Sequence, residues 1–349
     1  MPTEKTVYIL GAGFSIPAGI PAQGELLEVI SNYRLPPNLV VIRTNLFNFI
    51  REIYGLSEVQ AVKLALEDIY TPLHQSISRN EYLKSYSPDK LKKLENDLNR
   101  LVAHVIDNGK NGYVERIDYV YEFASHLRAA KHAASSVDHF SVISLNWDIL
   151  LDKRLFEDTA NHEVIDYGCH CTGIDNGNKM VPAMAASERG LIVHKLLKPH
   201  GSLNWVTCPQ CQRVFVNKAQ KEGIKAFEGT ATCRFCKKVK LNAALLLPSF
   251  QKDLVKFHFQ HIWNQCGLTL SKATKLVFIG YSFPLADFDF RSLMTKYVGK
   301  DVKVEVVLFN EDGSETPEGQ RYRDYFGDKI TNISYDGVIE YTQRLTAIH

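Results

Sequence analysis

An apolar run, Thr6-Val7-Tyr8-Ile9-Leu10, leads without a spacer into Gly11-Ala12-Gly13. Its β-branched and aromatic residues predict a buried strand. Glycines at that point allow a tight turn and let backbone come close to a ligand. A helix beginning between Ile20 and Gln23 would carry Leu26, Leu27 and Ile30 on its apolar face. Strand, glycine turn and helix make the layout of a nucleotide-binding βα unit.

Similar strand patterns recur, and each stops at small or polar residues. His139 to Leu145 ends at Asn146-Trp147-Asp148, and Leu191 to Leu196 runs towards His200-Gly201-Ser202. Leu241 to Leu247 is a further strand pattern, Lys275 to Ile279 ends at Gly280-Tyr281-Ser282, and Val304 to Phe309 ends at Asn310. Ligands of an open parallel sheet bind outside the carboxyl ends of its strands. Gly11, Asn146, His200, Gly280 and Asn310 are therefore expected around one dinucleotide-sized crevice. The fold class is α/β, a doubly wound, Rossmann-like parallel sheet. Helices are expected from about Ile149, over Leu254 to Leu270, from near Asp287, and over Gly337 to Ile348.

Residues 45–135 read as a helical module serving as scaffold and pocket wall. Ser87-Pro88 has the form of an N-cap with Pro at the first helical position, and Leu91, Leu94, Leu98, Leu101 and Val105 follow at helical spacing. Residues 161–190, rich in Gly, Asn and Asp, read as loop. The nucleotide-binding domain would then comprise residues 1–44, 136–205 and 241–349.

Residues 206–240 form a third, small zinc-ribbon-like module. Cys208 and Cys211, then Cys233 and Cys236, make two C-x-x-C pairs 21 residues apart. Four thiolates can hold zinc tetrahedrally and leave no position for water, so the site is structural. Cys169-His170-Cys171 has no further ligand pair nearby, and Cys266 reads as helix core. Lys218, Lys221, Lys225, Lys237, Lys238 and Lys240 make the module basic, but Phe215, Phe227 and Phe235 suit its core, and nucleic-acid binding is not favoured.

Across 349 residues, 41 Lys and Arg stand against 39 Asp and Glu, a formal charge of +2. That balance calls for no polyanionic partner. No apolar stretch reaches a signal h-region or a membrane span. A reducing cytoplasm is expected, where C-x-x-C pairs bind metal rather than form disulfides.

The motifs also resemble a known family. Gly11-Ala12-Gly13-Phe14-Ser15, continuing to Gly19-Ile20-Pro21, resembles the opening motif of the sirtuin (Sir2) superfamily. Leu145-Asn146-Trp147-Asp148 resembles its Asn-x-Asp segment, and Lys198-Pro199-His200-Gly201-Ser202 its His-Gly segment. The C-x-x-C pairs, Gly280-Tyr281-Ser282 and Asn310 resemble its zinc module, its Gly-x-Ser loop and a ribose-contacting Asn. The resemblance implies a Sir2-type sheet and NAD as a substrate cleaved at the nicotinamide–ribose bond. It implies catalytic roles for His200, Asn146 and Asp148. It places NAD on Gly11, Ala12, Gly13, Ser15, Gly19, Gly280, Tyr281, Ser282, Asp287 and Asn310.

Two departures separate the chain from protein-deacylating sirtuins. Pro21-Ala22-Gln23-Gly24-Glu25 lacks the acidic residue, Phe and Arg that usually continue the first motif. Leu245 to Phe250 stands where the acyl-peptide segment would lie. Gly280 to Asp289 is similar to a divergent bacterial Sir2-like group that includes antiphage NAD hydrolases. The resemblance thus points to hydrolysis of NAD to nicotinamide and ADP-ribose, with a regulatory partner, a phage trigger or homo-oligomerisation restraining it. Two alternatives stand beside it: an NAD-dependent lysine deacylase, marked by an apolar channel to His200, and an inactive NAD or ADP-ribose sensor.

Overall fold

The computed structural model describes residues 4–109, 117–133, 139–157, 163–173, 192–217, 229–247 and 256–347. Its centre is a seven-stranded sheet. In chain order the strands of the molecule are β1 (Thr6–Leu10), β2 (Phe140–Ser144), β3 (Glu163–Asp166), β4 (Cys171–Gly173), β5 (Ile192–Leu197), β6 (Gly201–Thr207), β7 (Val214–Val216), β8 (Asn242–Leu245), β9 (Lys275–Ile279), β10 (Lys303–Val307) and β11 (Ile330–Ser334). The large sheet runs β11-β10-β9-β1-β2-β5-β3, with every pair parallel. β1 is buried on both faces, which is why its sequence is continuously apolar rather than alternating.

The chain moves outward from β1 on one side through β2, then returns and builds β9, β10 and β11 on the other. The order therefore reverses between β1 and β9, the switch point where such sheets bind ligands. Leu10 lies opposite both Ser144 and Ile279, so the loops after β1, β2 and β9 leave the sheet at one level.

Helices Pro37–Tyr54, Leu66–Arg79 and Pro88–Asn108 form a layer with its own core around Leu46, Phe49, Ile69, Leu91 and Leu98. Ser87 caps the last of these, its Oγ accepting from the Lys90 N–H at 3.5 Å, with Pro88 following. The helix Asp118–Ala133, read with this region from sequence, belongs to the main sheet instead. Its Phe123 ring meets Tyr8 of β1 edge-on at 5.1 Å and Phe14 at 5.5 Å.

Two sequence readings change. Residues 161–190 are not all loop, since β3 adds to the edge of the large sheet and β4 to a second sheet, ordered β4-β7-β6-β8. Residues 174–190 lie outside the described residues. The metal module also does not stand apart at residue 206, because β6 is one continuous buried strand through Thr207, paired antiparallel with β7 and β8. Leu203 of β6 and Leu245 of β8 join the core of the helical layer. β11 and the helix Pro317–Phe326 were not read from sequence. Among the described residues, no helix is long and apolar enough to cross a membrane.

Candidate functional site

The floor of the site is backbone against backbone. The Gly11 N–H donates to Ile279 O at 3.0 Å, and the Gly13 N–H to Gly280 O at 2.7 Å. A Cβ on Gly11 would lie 2.4 Å from Tyr281 Cα, one on Gly13 2.6 Å from Gly280 Cα, and one on Gly280 2.3 Å from Gly13 C. Gly280 also has φ +62°, a conformation glycine adopts without penalty. These glycines therefore let the first and later loops interlock at the switch point. The N–H groups of Gly11 and Gly13 are used in that joint.

A polar cluster stands directly above. Ser15 is buried, and its hydroxyl donates to Asp148 Oδ2 at 2.7 Å. Its proton is committed to that carboxylate. Asn146, half-buried at the end of β2, gives its Nδ2 to Gly11 O at 2.8 Å and to Ser15 Oγ at 3.2 Å. The amide plane is thereby fixed. Asp148 Oδ1 accepts from the Leu150 N–H at 3.0 Å, at the start of the helix Leu150–Glu157. Its carboxylate thus organises the loop.

Lys198 supports this cluster from below. It is fully buried, and its ammonium donates to Asp148 O at 2.5 Å and to Asp152 Oδ2 at 3.0 Å. Tyr167 completes the group by donating to Asp152 Oδ1 at 2.7 Å. A buried charge of this kind persists only when paired. Here the pairing ties the strand end before His200 to the loop after β2.

His200 follows two residues later, in the turn between β5 and β6. Its Nδ1 lies 3.2 Å from Leu145 O. A carbonyl only accepts, so Nδ1 carries the proton, and Nε2 is the nitrogen that can receive one. Nε2 lies 3.5 Å from Asp287 Oδ1. Asp287 Oδ2 accepts from the Tyr281 hydroxyl at 3.0 Å. Burial, then the Asp287 carboxylate, holds the Tyr281 phenol well above its usual range, so it remains a donor.

These groups line one crevice of about 450 Å³. Gly11, Ala12, Gly13, Ser15, Asn146 and Asp148 border it, joined by His200, Gly280, Tyr281, Ser282 and Asp287. Gly19 and Asn310 do not line it. Gly19 closes a short turn at φ +84°, and Asn310 turns its amide Nδ2 onto Ser314 O and Oγ, both at 3.0 Å. Sequence reasoning took the helical region as pocket wall and set Leu245 to Phe250 at the acyl-peptide position, but it did not single out Leu66, Glu67, Ile106, Thr316 or Glu318. Thr316-Pro317-Glu318 carries an N-cap signal that marks the last two, since Thr316 Oγ accepts from the Gly319 N–H at 3.3 Å.

The four thiols of Cys208, Cys211, Cys233 and Cys236 all lie within 4.8 Å of one another, with Cys211 and Cys233 Sγ at 3.9 Å. Tetrahedral zinc with bonds near 2.3 Å sets its sulfurs about 3.8 Å apart. The N–H groups of Cys211 and Cys236 point at Cys208 and Cys233 Sγ, at 3.5 and 3.4 Å, as in metal knuckles. The cluster fits a four-thiolate metal centre. Phe215 is buried and stacks on Phe235 with centroids 6.0 Å apart, and Arg213 covers that ring at 4.2 Å, so these aromatics serve the module's own packing. Lys218, Lys221, Lys225 and Phe227 lie outside the described residues. Cys169 and Cys171 have their sulfurs 3.5 Å apart, and the four-cysteine group is the only metal-suited cluster among the described residues.

No protein-family model matches the chain, and no curated protein matches it. Solved Sir2 structures are similar to it at 15% sequence identity, over 99% of this chain and 92% of theirs. They include Sir2 with a p53 peptide and NAD+ (TM-score 0.40), Sir2Tm bound to a propionylated peptide (0.41) and Sir2 bound to an acetylated peptide (0.41). A likeness of this size carries neither fold nor chemistry over to this chain. Both rest on the parallel sheet, its switch point and the side chains gathered there.

Proposed function

We propose that the chain binds NAD along the crevice and breaks its nicotinamide–ribose bond. One observation carries this reading: His200, Asn146 and the two glycine loops, from four separate segments, meet in one crevice at the switch point. Departure of nicotinamide leaves an oxocarbenium-like ribose. Asn146, with its Nδ2 held by Gly11 and Ser15, has its amide oxygen free to face the ribose without adding to it. His200 Nε2 takes the proton that water gives up as its oxygen bonds to C1 of the ribose or, where the acceptor brings no proton, the proton of a neighbouring ribose hydroxyl. Asp287 stabilises the resulting imidazolium. Asp148 acts through Ser15 and the loop.

The acceptor divides two readings. With water, the products are nicotinamide and ADP-ribose, as in the antiphage hydrolases the motifs resemble. Such an activity drains NAD in the cytoplasm and needs a partner, an assembly step or a phage-derived trigger to restrain it. The departures after Pro21 speak for this reading. With an acyl-lysine, the acyl oxygen bonds to C1 as nicotinamide leaves, a ribose hydroxyl then adds to the acyl carbon, and water completes release of the lysine amine, giving nicotinamide, O-acyl-ADP-ribose and free lysine. The apolar wall beside His200, with Trp147, Leu246 and Leu247, speaks for this second reading. The four cysteines would hold a structural zinc in either case.

Incubating the protein with NAD alone and with a pool of acyl-lysine peptides separates the two. Peptide-independent release of nicotinamide and ADP-ribose is the hydrolase outcome, and release only with peptide is the deacylase outcome. His200→Ala and Asn146→Ala should each abolish turnover with the fold intact. Full activity in both would overturn the assignment, and tight NAD binding without turnover would mark a sensor.

A further inference from the structure

The orientation of the dinucleotide follows from the reading above. The bond to be cleaved lies at His200 and Asn146, so the adenosine half extends across the switch point towards β10 and β11. Phe309, Thr316, Glu318, Gly337 and Val338 form the wall there. Four carboxylates line the crevice among the described residues. Asp148 and Asp287 stand at the catalytic end, and Glu67 is on the helical wall. Glu318 alone stands at the adenosine end.

Glu318 lies in the first turn of the helix Pro317–Phe326. Its Oε1 accepts from Arg321 Nη2 at 2.8 Å. Arg321 is held in turn by Ser282 O, to which Nε and Nη2 donate at 3.2 and 3.0 Å. The guanidinium is thus tied to the loop after β9, and Arg321 does not itself line the crevice. Burial raises the Glu318 carboxyl, but hydrogen bonds from its own N–H, Thr316 and Arg321 outweigh it and keep the group below its usual range, hence ionised.

An ionised carboxylate accepts hydrogen bonds from a ribose 2′-hydroxyl and repels a 2′-phosphate, whereas an available Arg accommodates that phosphate. In this wall Glu318 lines the crevice, and its carboxylate is paired with the Arg321 charge. We infer that Glu318, backed by Arg321, makes the crevice selective for NAD over NADP. The inference rests on the proposed NAD reading and assigns a specificity-determining residue within it.

The test compares NAD and NADP with the wild-type chain, Glu318→Gln, and the double variant Glu318→Gln/Arg321→Gln. Binding by titration calorimetry accompanies nicotinamide release, so a catalytically silent chain is also informative. Wild type should prefer NAD. Glu318→Gln should raise the NADP-to-NAD affinity ratio about tenfold or more, the scale of one charge removed beside a phosphate. The double variant should lose most of that gain. Glu318→Thr serves as a second variant should Gln fail to fold. A wild-type preference for NADP, an unchanged ratio in Glu318→Gln, or a gain that survives loss of Arg321 would overturn the inference while leaving NAD binding intact. A wild-type chain that binds neither dinucleotide would overturn the NAD reading together with it.

Discussion

His200 Nε2 faces Asp287 Oδ1 at 3.5 Å, while His200 Nδ1 is held by Leu145 O at 3.2 Å. The ring is therefore fixed between the strand end after β2 and the loop after β9. Asp287→Asn keeps the shape and removes the charge opposite the proton-accepting nitrogen. NAD cleavage should fall on the order of 10²-fold, within the range for general acid–base assistance. KM for NAD should change little if Asp287 acts through His200, and Asp287→Glu should recover part of the loss. A rise in KM with kcat preserved would show instead that Asp287 holds the dinucleotide.

Lys198 and Asp152 form a buried ion pair at 3.0 Å. Replacing Lys198 by Met leaves the Asp152 charge without its cation, and stability should fall by roughly 3–5 kcal/mol. The double variant Lys198→Met/Asp152→Asn should recover much of it. Urea unfolding of the three proteins checks this, and equal loss in single and double variants would refute the pairing argument.

Gly13 and Gly24 offer a contrast within one segment. A Cβ at Gly13 meets backbone at 2.6 Å, while nothing lies within 4 Å of one at Gly24. Gly13→Ala should cost about 1–3 kcal/mol through forced separation of the loops. Gly24→Ala should be neutral or stabilise by up to about 1 kcal/mol through the unfolded state. Thermal unfolding of the two variants decides it.

Zinc should be present at about one ion per chain, as a closed four-thiolate site requires. Cys208→Ser should release it and loosen the small sheet, raising hydrogen exchange in β6, β7 and β8. Native mass spectrometry and exchange read the two effects. A protein purified without metal and with that sheet still protected would count against the centre.

Much of the fold was legible because β1 is buried throughout and β9 in all but its first residue, so both read as apolar runs, while β2 and β10 keep apolar residues at three of five positions each. β3 and β4 were lost in a Gly- and Asn-rich stretch, being only four and three residues long. β11, Ile330-Thr331-Asn332-Ile333-Ser334, is an edge strand with two exposed polar residues, and no apolar run marks it. At the site, His200, Asn146 and the glycines stood out by residue type at strand ends. Leu66 and Ile106 could not, since only tertiary packing brings particular residues of a helical layer over the crevice. The glycines were read as places of close backbone approach, but a sequence does not show that Gly13 and Gly280 meet each other.

That contact bears on how the crevice could be blocked. Where Gly11 and Gly13 mesh with Gly280, no side chain exists to swing aside, and yielding would mean parting the central strands. An inhibitor would press against an unyielding base and gain little by induced fit there. Its adaptable surface is the opposite one, where Leu66 and Ile106 hang from helices that keep a core of their own. Compounds grown towards those helices are the ones whose affinity should respond to chemical elaboration.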